Sequence, residues 1–361
     1  MIASGKKRSA QDLRAQSGRR ALLRWYRATA RPLPWRSTKD PYRIWISEVM
    51  LQQTQIAAVI PYYDRFLRAF PTVERLARAP FESVAARWSG LGYYRRARHL
   101  HLAARKVAQD FGGQFPENYD AARSLPGVGR YTACAVLSIA YGKRLAVLDG
   151  NVARVVARLN ALSGNIQQAE FRVQVESHLQ QMLSKRRPGD FNQALMELGQ
   201  TVCLPRAPRC IVCPVRKACV AFRRGDPESF PQPRPRRATE LCYLAAAVIH
   251  KGGKVALVRG LDEGLLGDLW NFPAAFGGSS EEAMERLRLK LVSQSSSPLR
   301  LARKLGTVRH AITFRSIRAE LYEVSGNARG GHLRWFPMAA LDSAAISQLA
   351  RKIAAVAREE C

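Results

Sequence analysis

Apolar residues recur at helical spacing from residue 20 to residue 222 and give way to short β-branched runs beyond residue 240. Val49, Met50, Ile56, Val59 and Ile60 mark one helical face over residues 47–60, after which Pro61 is expected to restart the chain. The same periodicity predicts helices over residues 73–78, 81–88, 97–111, 130–141, 151–162 and 170–183, mostly closed by Gly or Pro, with 191–202 as the last. Strand-like runs are nearly missing there, so this part reads as all-α. Residues 224–240 hold Pro227, Pro231, Pro233 and Pro235 among scattered charges and read as a stiff, extended spacer. Past it, residues 243–249, 254–259, 301–308 and 312–324 predict strands, while 281–292 and 345–358 predict helices. That is an α+β unit. The expected division is a tail over 1–19, a helical domain over 20–222, a linker over 223–240 and a second domain over 241–361.

Charge narrows the partner. Lysine and arginine total 58 against 28 acidic residues, a formal charge of +30 spread along the whole chain. Such an excess is the electrostatic footprint of a polyanion binder, although an arginine-favouring genome would supply part of it. No run approaches membrane-spanning length, and the opening MIASGKKRSAQDLRAQSGRR lacks the apolar centre of a secretory signal. It reads as a solvated basic tail.

Three motifs carry chemistry. Cys203, Cys210, Cys213 and Cys219 have six, two and five residues between them. Four soft sulfurs suit an iron–sulfur cluster or zinc, and a disulfide pair is the remaining alternative. Structural zinc sites favour paired, closely spaced cysteines, which the wide first gap fits poorly, so a [4Fe–4S] cluster is favoured. Arg206, Arg209, Arg216 and Lys217 lie between the ligands, so a loop pinned there presents positive charge to nucleic acid. The segment Leu125-Pro126-Gly127-Val128-Gly129 lies between two predicted helices. Glycines two apart let the chain turn tightly and leave bare amides at the next helix start, where a phosphodiester can bind. This is a helix-hairpin-helix signature. Asp149, in Leu148-Asp149-Gly150-Asn151-Val152, follows an apolar run and precedes a helix, as an N-cap acid also would.

Hairpin, helix, aspartate and four-cysteine loop in this order resemble the endonuclease III superfamily of base-excision DNA glycosylases, in which that aspartate does the chemistry. The resemblance implies an all-α helix-hairpin-helix glycosylase core with an iron–sulfur loop over 203–219. Members that also cleave the strand carry a lysine two residues after the last hairpin glycine. Tyr131 stands there instead, and Arg130 cannot substitute because a guanidinium stays protonated. Glu48 lies in Trp45-Ile46-Ser47-Glu48-Val49-Met50-Leu51-Gln52-Gln53-Thr54-Gln55. Its apolar flanks would raise its pKa and keep it protonated; the alternative is an exposed first-turn glutamate. With Asp149 it makes the acid and carboxylate that glycosidic cleavage needs. The stretch from Leu33-Pro34-Trp35-Arg36 through Gln55, the run Gly90-Leu91-Gly92-Tyr93-Tyr94, the hairpin, the aspartate segment and the cysteine loop look like the A/G-specific adenine DNA glycosylase (MutY) branch.

That resemblance implies removal of adenine mispaired with 8-oxoguanine or guanine in duplex DNA. A monomer is expected, in the bacterial cytoplasm at the nucleoid or in a eukaryotic nucleus or organelle. Glu48 would protonate the extruded adenine at N7, and Asp149 would stabilise or trap the sugar cation. Tyr131 and Asn151 would hydrogen-bond around them. Gln53 and Tyr93 would wedge into the duplex, and the amides of Gly127 and Gly129 would hold a phosphate. The product would be an abasic site, with no strand cut.

The second domain resembles the family's Nudix-like module through Leu265-Leu266-Gly267-Asp268-Leu269-Trp270-Asn271-Phe272-Pro273. It lacks the Arg-Glu-x-x-Glu-Glu core, so pyrophosphatase activity is not expected. Where the family reads 8-oxoguanine with Phe-Ser-His, alignment on His310 offers Ile312-Thr313-Phe314. Thr313 keeps a hydroxyl for the oxidised base. Phe314 loses the histidine's hydrogen bond, a deficit of about 1–3 kcal/mol. A glycosylase acting on thymine or uracil opposite guanine is the competing enzyme, and Glu48 argues against it because pyrimidine release needs no N7 protonation. A non-catalytic lesion-binding protein on the same scaffold would be expected to have lost Glu48 or Asp149.

Overall fold

The computed structural model describes residues 10–233, 238–262, 266–267, 269–294, 299–312, 314–325 and 332–360. Helices come first: α1 Ala10–Thr29, α2 Pro41–Leu51, α3 Ile56–Ala69, α4 Val73–Arg78, α5 Phe81–Trp88 and α6 Arg95–Asp110. They continue with α7 Tyr119–Arg123, α8 Arg130–Ala140, α9 Gly150–Asn160, α10 Ala169–Met182, α11 Pro188–Thr201 and α12 Val220–Arg224. Strands then follow: β1 Glu240–Val248, β2 His250–Lys251, β3 Lys254–Arg259, β4 Trp270–Asn271 and β5 Ala274–Gly277. The chain ends through α13 Ser280–Gln294, β6 Arg300–Ile312, β7 Arg315–Ser325, β8 Arg334–Pro337 and α14 Gln348–Glu360. Two compact units result, one from residues up to 52 together with 106–235, the other from 53–105 together with residues from 236 onward.

In the first unit, α2 is buried from Ile44 to Met50, with Tyr42, Ile44, Trp45, Ile46, Val49 and Met50 as its apolar side chains and Arg43 exposed near its start. It starts on Asp40, whose carboxylate accepts the Tyr42 N–H at 2.9 Å, with Pro41 opening the helix. Trp45 is fully buried, its ring 5.3 Å from that of Phe115. Helix α2 packs on α8, α8 on α11, and α11 on both α9 and α1. The α8–α11 approach requires a glycine: a Cβ on Gly189 would lie 2.4 Å from the Ser138 carbonyl oxygen and 2.7 Å from Ile139 Cα.

In the second unit, α3 to α5 pack around Phe66 and Trp88, whose rings meet edge-on at 5.8 Å. Beyond residue 240, one sheet runs β5-β1-β7-β6, with β1 and β7 parallel and the other pairs antiparallel. Leu244, Ala246 and Val248 of β1 join Leu349, Ile353 and Ala357 of α14 in one core. Ala245 and Ala247 point the other way, into a core with Ala283, Leu287 and Leu291 of α13. With both faces covered from Leu244 to Val248, β1 has no polar side there, which matches the unbroken apolar run of its second half. A smaller sheet orders β2-β3-β4, with β8 also on β3.

Several boundaries differ from expectation. Residues 47–60 are not one helix: α2 ends at Leu51, α3 begins at Ile56, and Pro61 lies inside α3. The break is a backbone turn at Gln53, with φ of 56°, which apolar spacing does not register. The basic tail is shorter, since α1 starts at Ala10 and Arg19 donates to the Met182 carbonyl at 2.8 Å. Residues 312–324 divide between the end of β6 and β7. Thr313, Leu265, Asp268, Pro235 and residues 1–9 lie outside the described residues. Among those described, no helix is long and apolar enough to cross a membrane.

Alanine at position 189 would gain about 1 kcal/mol of helix propensity. Forcing a methyl against the α8 backbone typically costs about 1–3 kcal/mol. Gly189→Ala is therefore expected to lower the thermal midpoint, whereas Gly150→Ala, which meets nothing within 4 Å, should not. Differential scanning calorimetry of both variants checks this.

Candidate active site

Glu48 comes from the stretch of α2, Ile44 to Met50, in which every residue is buried, so its carboxyl goes inside; the residue is 5% exposed. The packing of α8 on α2 brings the Tyr131 hydroxyl, from the first turn of α8, into a hydrogen bond with it. Tyr131 also lies 3.4 Å from the Met196 sulfur, towards which its hydroxyl donates. Glu48 Oε2 is buried with no hydrogen-bond partner among the described residues. Burial pushes the Glu48 carboxyl up to about 7; the Tyr131 hydroxyl pulls it down, the Asp149 charge adds to the rise and Arg36 opposes it. Burial, then the charges of Glu48 and Asp149, push the Tyr131 phenol well above its ordinary value, so it stays a hydroxyl.

Asp149 caps α9. Its Oδ1 accepts the Val152 N–H at 2.6 Å, and its Oδ2 accepts from Asn151 Nδ2 at 3.4 Å. Burial raises this carboxyl too, but the Val152 and Asn151 hydrogen bonds and the charge of Arg154 oppose the rise. Three groups that favour the charged form therefore face Asp149, whereas Glu48 has one oxygen with no hydrogen-bond partner among the described residues.

Helix α9 also holds the cysteine loop. Arg154 Nη2 donates to Asn151 Oδ1 at 2.9 Å and to the Gly199 carbonyl at 2.7 Å, while Nε donates to the Cys203 carbonyl at 2.9 Å. Gly199 is forced: its Cβ would lie 2.8 Å from Asn151 Cβ. Arg158, only 2% exposed, donates to the carbonyls of Leu204, Pro205 and Phe230, and Nη1 reaches the Cys203 sulfur at 3.4 Å. All four loop cysteines are free thiols in this structure. They line one pocket with Val155, Leu198, Val202 and Phe222. Burial raises the thiols of Cys210, Cys213 and Cys219, that of Cys213 to about 12, so without a metal they stay protonated at neutral pH. Arg206, Arg209 and Lys217 are exposed on the loop.

Sequence patterning missed one group. Glu197, buried in α11, accepts from Arg31 Nε and Nη2 and from Arg36 Nη2, each at 2.7 Å. Burial alone would raise its carboxyl, but these guanidiniums hold it below its ordinary value. An acid inside the apolar stretch Ala194-Leu195-Met196-Glu197-Leu198 was the available signal.

Of the predicted residues, Glu48, Tyr131, Asp149 and Asn151 therefore assemble in the first unit. Gly127 and Gly129 are exposed in the same unit, Gly127 with φ of 73° and Gly129 as the side-chain-free cap of α8. Gln53 and Tyr93 belong to the second unit. There, Glu282 and Glu285 of α13 are occupied by Arg286 and Arg288.

Because the folded pKa of Glu48 lies above the ordinary 4.5, the folded state holds this proton more tightly than the unfolded chain. Its stabilising contribution is complete below pH 4.5 and is lost as pH rises through about 7. Glu48→Gln should flatten that dependence and gain up to about 3 kcal/mol at neutral pH. Melting temperatures of both proteins at pH 5 and pH 8 test it; equal slopes would refute the buried, protonated state.

Residues 46–181 match the HhH-GPD superfamily base excision DNA repair protein family, and residues 244–356 match the NUDIX domain. The human adenine DNA glycosylase is 35% identical over 400 residues, spanning 93% of this chain and 73% of its own. The structure of a thermostable thymine-DNA glycosylase superposes with a TM-score of 0.55 at 31% identity, covering 60% of this chain and 100% of that one. A trapped endonuclease III–DNA covalent intermediate shares the fold, with a TM-score of 0.51 at 21% identity over 60% of this chain and 99% of its own. With likeness to the human enzyme running through nearly its whole length, the chain belongs to the adenine DNA glycosylase family of base-excision repair hydrolases.

Proposed function

We propose that the protein hydrolyses the N-glycosidic bond of adenine mispaired with 8-oxoguanine or guanine in duplex DNA, acting as a monomer and leaving an abasic site. The carrying observation is the pair of unequal carboxyls: Glu48 is raised to about 7 by burial with one oxygen left unpartnered among the described residues, whereas burial also raises Asp149 but the α9 cap and Asn151 oppose the rise. Adenine first leaves the base stack. Glu48 gives its proton to adenine N7, and the C1′–N9 bond breaks with its electron pair leaving on a neutral base. The carboxylate of Asp149 stabilises or traps the resulting cation at C1′ until water adds and gives up a proton. Tyr131 keeps Glu48 oriented, and Asn151 does the same for Asp149. A thymine leaving group has no N7 to protonate, so Glu48 favours a purine substrate.

With Tyr131 at the position where a Schiff-base amine would stand, strand cleavage is not part of the reaction. The bare amides at the start of α8, after Gly127 and Gly129, support a phosphate contact, and the charge of +30 supports duplex DNA as the partner. With Phe314 lacking a hydrogen-bonding side chain, the preference for 8-oxoguanine over guanine is expected to be narrow.

The cysteine set fits a [4Fe–4S] cluster better than zinc. The four sulfurs line one pocket, and the six-residue first gap fits a paired zinc site poorly. Cys203, Cys210, Cys213 and Cys219 would hold the cluster, whose contribution is to pin the basic loop towards DNA. The nucleoid, or the nucleus or an organelle, is the matching location.

Alkali-revealed cleavage of A:8-oxoguanine, A:G, T:G and U:G duplexes tests the reaction. Release confined to the adenine duplexes is expected, with no strand cut before alkali. Glu48→Gln and Asp149→Asn should bind the same duplexes but lose about 10²–10⁴-fold in single-turnover rate. Full turnover by either variant would defeat the assigned chemistry. Metal analysis of purified protein should give about four irons per chain; stoichiometric zinc would overturn the cluster.

A further inference from the structure

Two exposed side chains in the second unit stand on left-handed backbone that non-glycine residues rarely adopt. Gln53 has φ of 56° and Tyr93 has φ of 51°. Such conformations persist only where surrounding structure over-determines them. Here one guanidinium reaches both turns. Arg96 Nη2 donates to Thr54 Oγ1 at 3.0 Å, beside Gln53 and 42 positions away in sequence. The same Nη2 donates to the Gly92 carbonyl at 3.0 Å, and Nε to the Tyr93 carbonyl at 3.4 Å. The guanidinium carbon sits 5.2 Å from the Tyr93 ring centre and 5.5 Å from that of Trp88. Trp88, itself fully buried, donates its indole N–H to the Gly92 carbonyl at 3.2 Å and so anchors the far side of the turn. A planar fork reaches acceptors on two turns while stacking on a ring, whereas an ammonium offers one compact charge. Burial pulls Arg96 down to about 10, still protonated at physiological pH.

We propose that Arg96 is a positioning residue that ties the Gln53 turn to the Tyr93 turn and holds both side chains poised to enter the duplex. The inference rests on the reading of these two side chains as the wedge of a base-flipping enzyme. It assigns Arg96 no contact with the reacting atoms. Loss of the fork leaves each turn free to relax, so the wedge must be ordered anew at every opening of the duplex.

The test uses a duplex with 2-aminopurine next to the mispaired adenine, whose fluorescence rises when the stack opens, with and without excision. Wild-type protein at saturation should raise the signal. Arg96→Lys should raise it far less and should lose about 10–100-fold in excision rate on this duplex. On a substrate whose adenine is already unstacked, in a bulge, it should lose only a few-fold. Thr54→Val, which removes the hydroxyl acceptor without changing shape, should show the same pattern more weakly and guards against a folding defect. Equal fluorescence in Arg96→Lys and wild type would overturn the proposal, as would equal rate losses on paired and bulged adenine. A wild-type protein that opens the stack but releases no adenine would count against the glycosylase reading while leaving the clamp intact. A wild-type protein that leaves the stack closed would overturn the clamp.

Discussion

A carboxyl group taken out of water must either keep its proton or find an opposing charge. Glu48 sits under that constraint, and the rest of the first unit is arranged around it. The burial of α2 from Ile44 to Met50 removes it from solvent. Arg36, whose charge reaches it, is itself hydrogen-bonded to Glu197 and cannot serve Glu48 alone. Tyr131 has one hydroxyl proton to divide between the carboxyl and a sulfur. Proton retention is what remains, and it turns a structural expense into a chemical asset.

The second carboxyl meets the same burial with more partners. Asp149 spends its oxygens on amide donors at the start of a helix, where negative charge is favoured. One helix thus carries Asp149 at its cap and, within its first three turns, Arg154 and Arg158, which grip the cysteine loop. The order of Asp149 and the order of the loop depend on the same rigid segment.

How far the sequence disclosed this depends on the range of each interaction. The hairpin, Asp149 and the cysteine spacing are local, and local patterns were readable. For Asp149 the choice between an N-cap and a chemical role was never exclusive, because a carboxylate has two oxygens and here they have different partners. Glu48 was betrayed by its apolar flanks. Glu197 and its arginines were not read, since partners 161 and 166 positions away leave no periodic trace. The turn at Gln53 escaped for another reason: φ is a backbone quantity, and a glutamine in the left-handed region looks in sequence like any other glutamine. The compact unit that joins 53–105 to residues beyond 236 was equally invisible, because hydrophobic spacing defines elements and not which elements share a core.

Gly199 sits where α11 nearly touches the first turn of α9, with the Asn151 side chain and carbonyl filling the space a methyl would need. Interhelical spacing at this point is therefore set by an atom that is not there. Whatever occupies position 199 acts as a shim under the amide that steadies Asp149, so the aspartate's setting can be altered from a neighbouring helix.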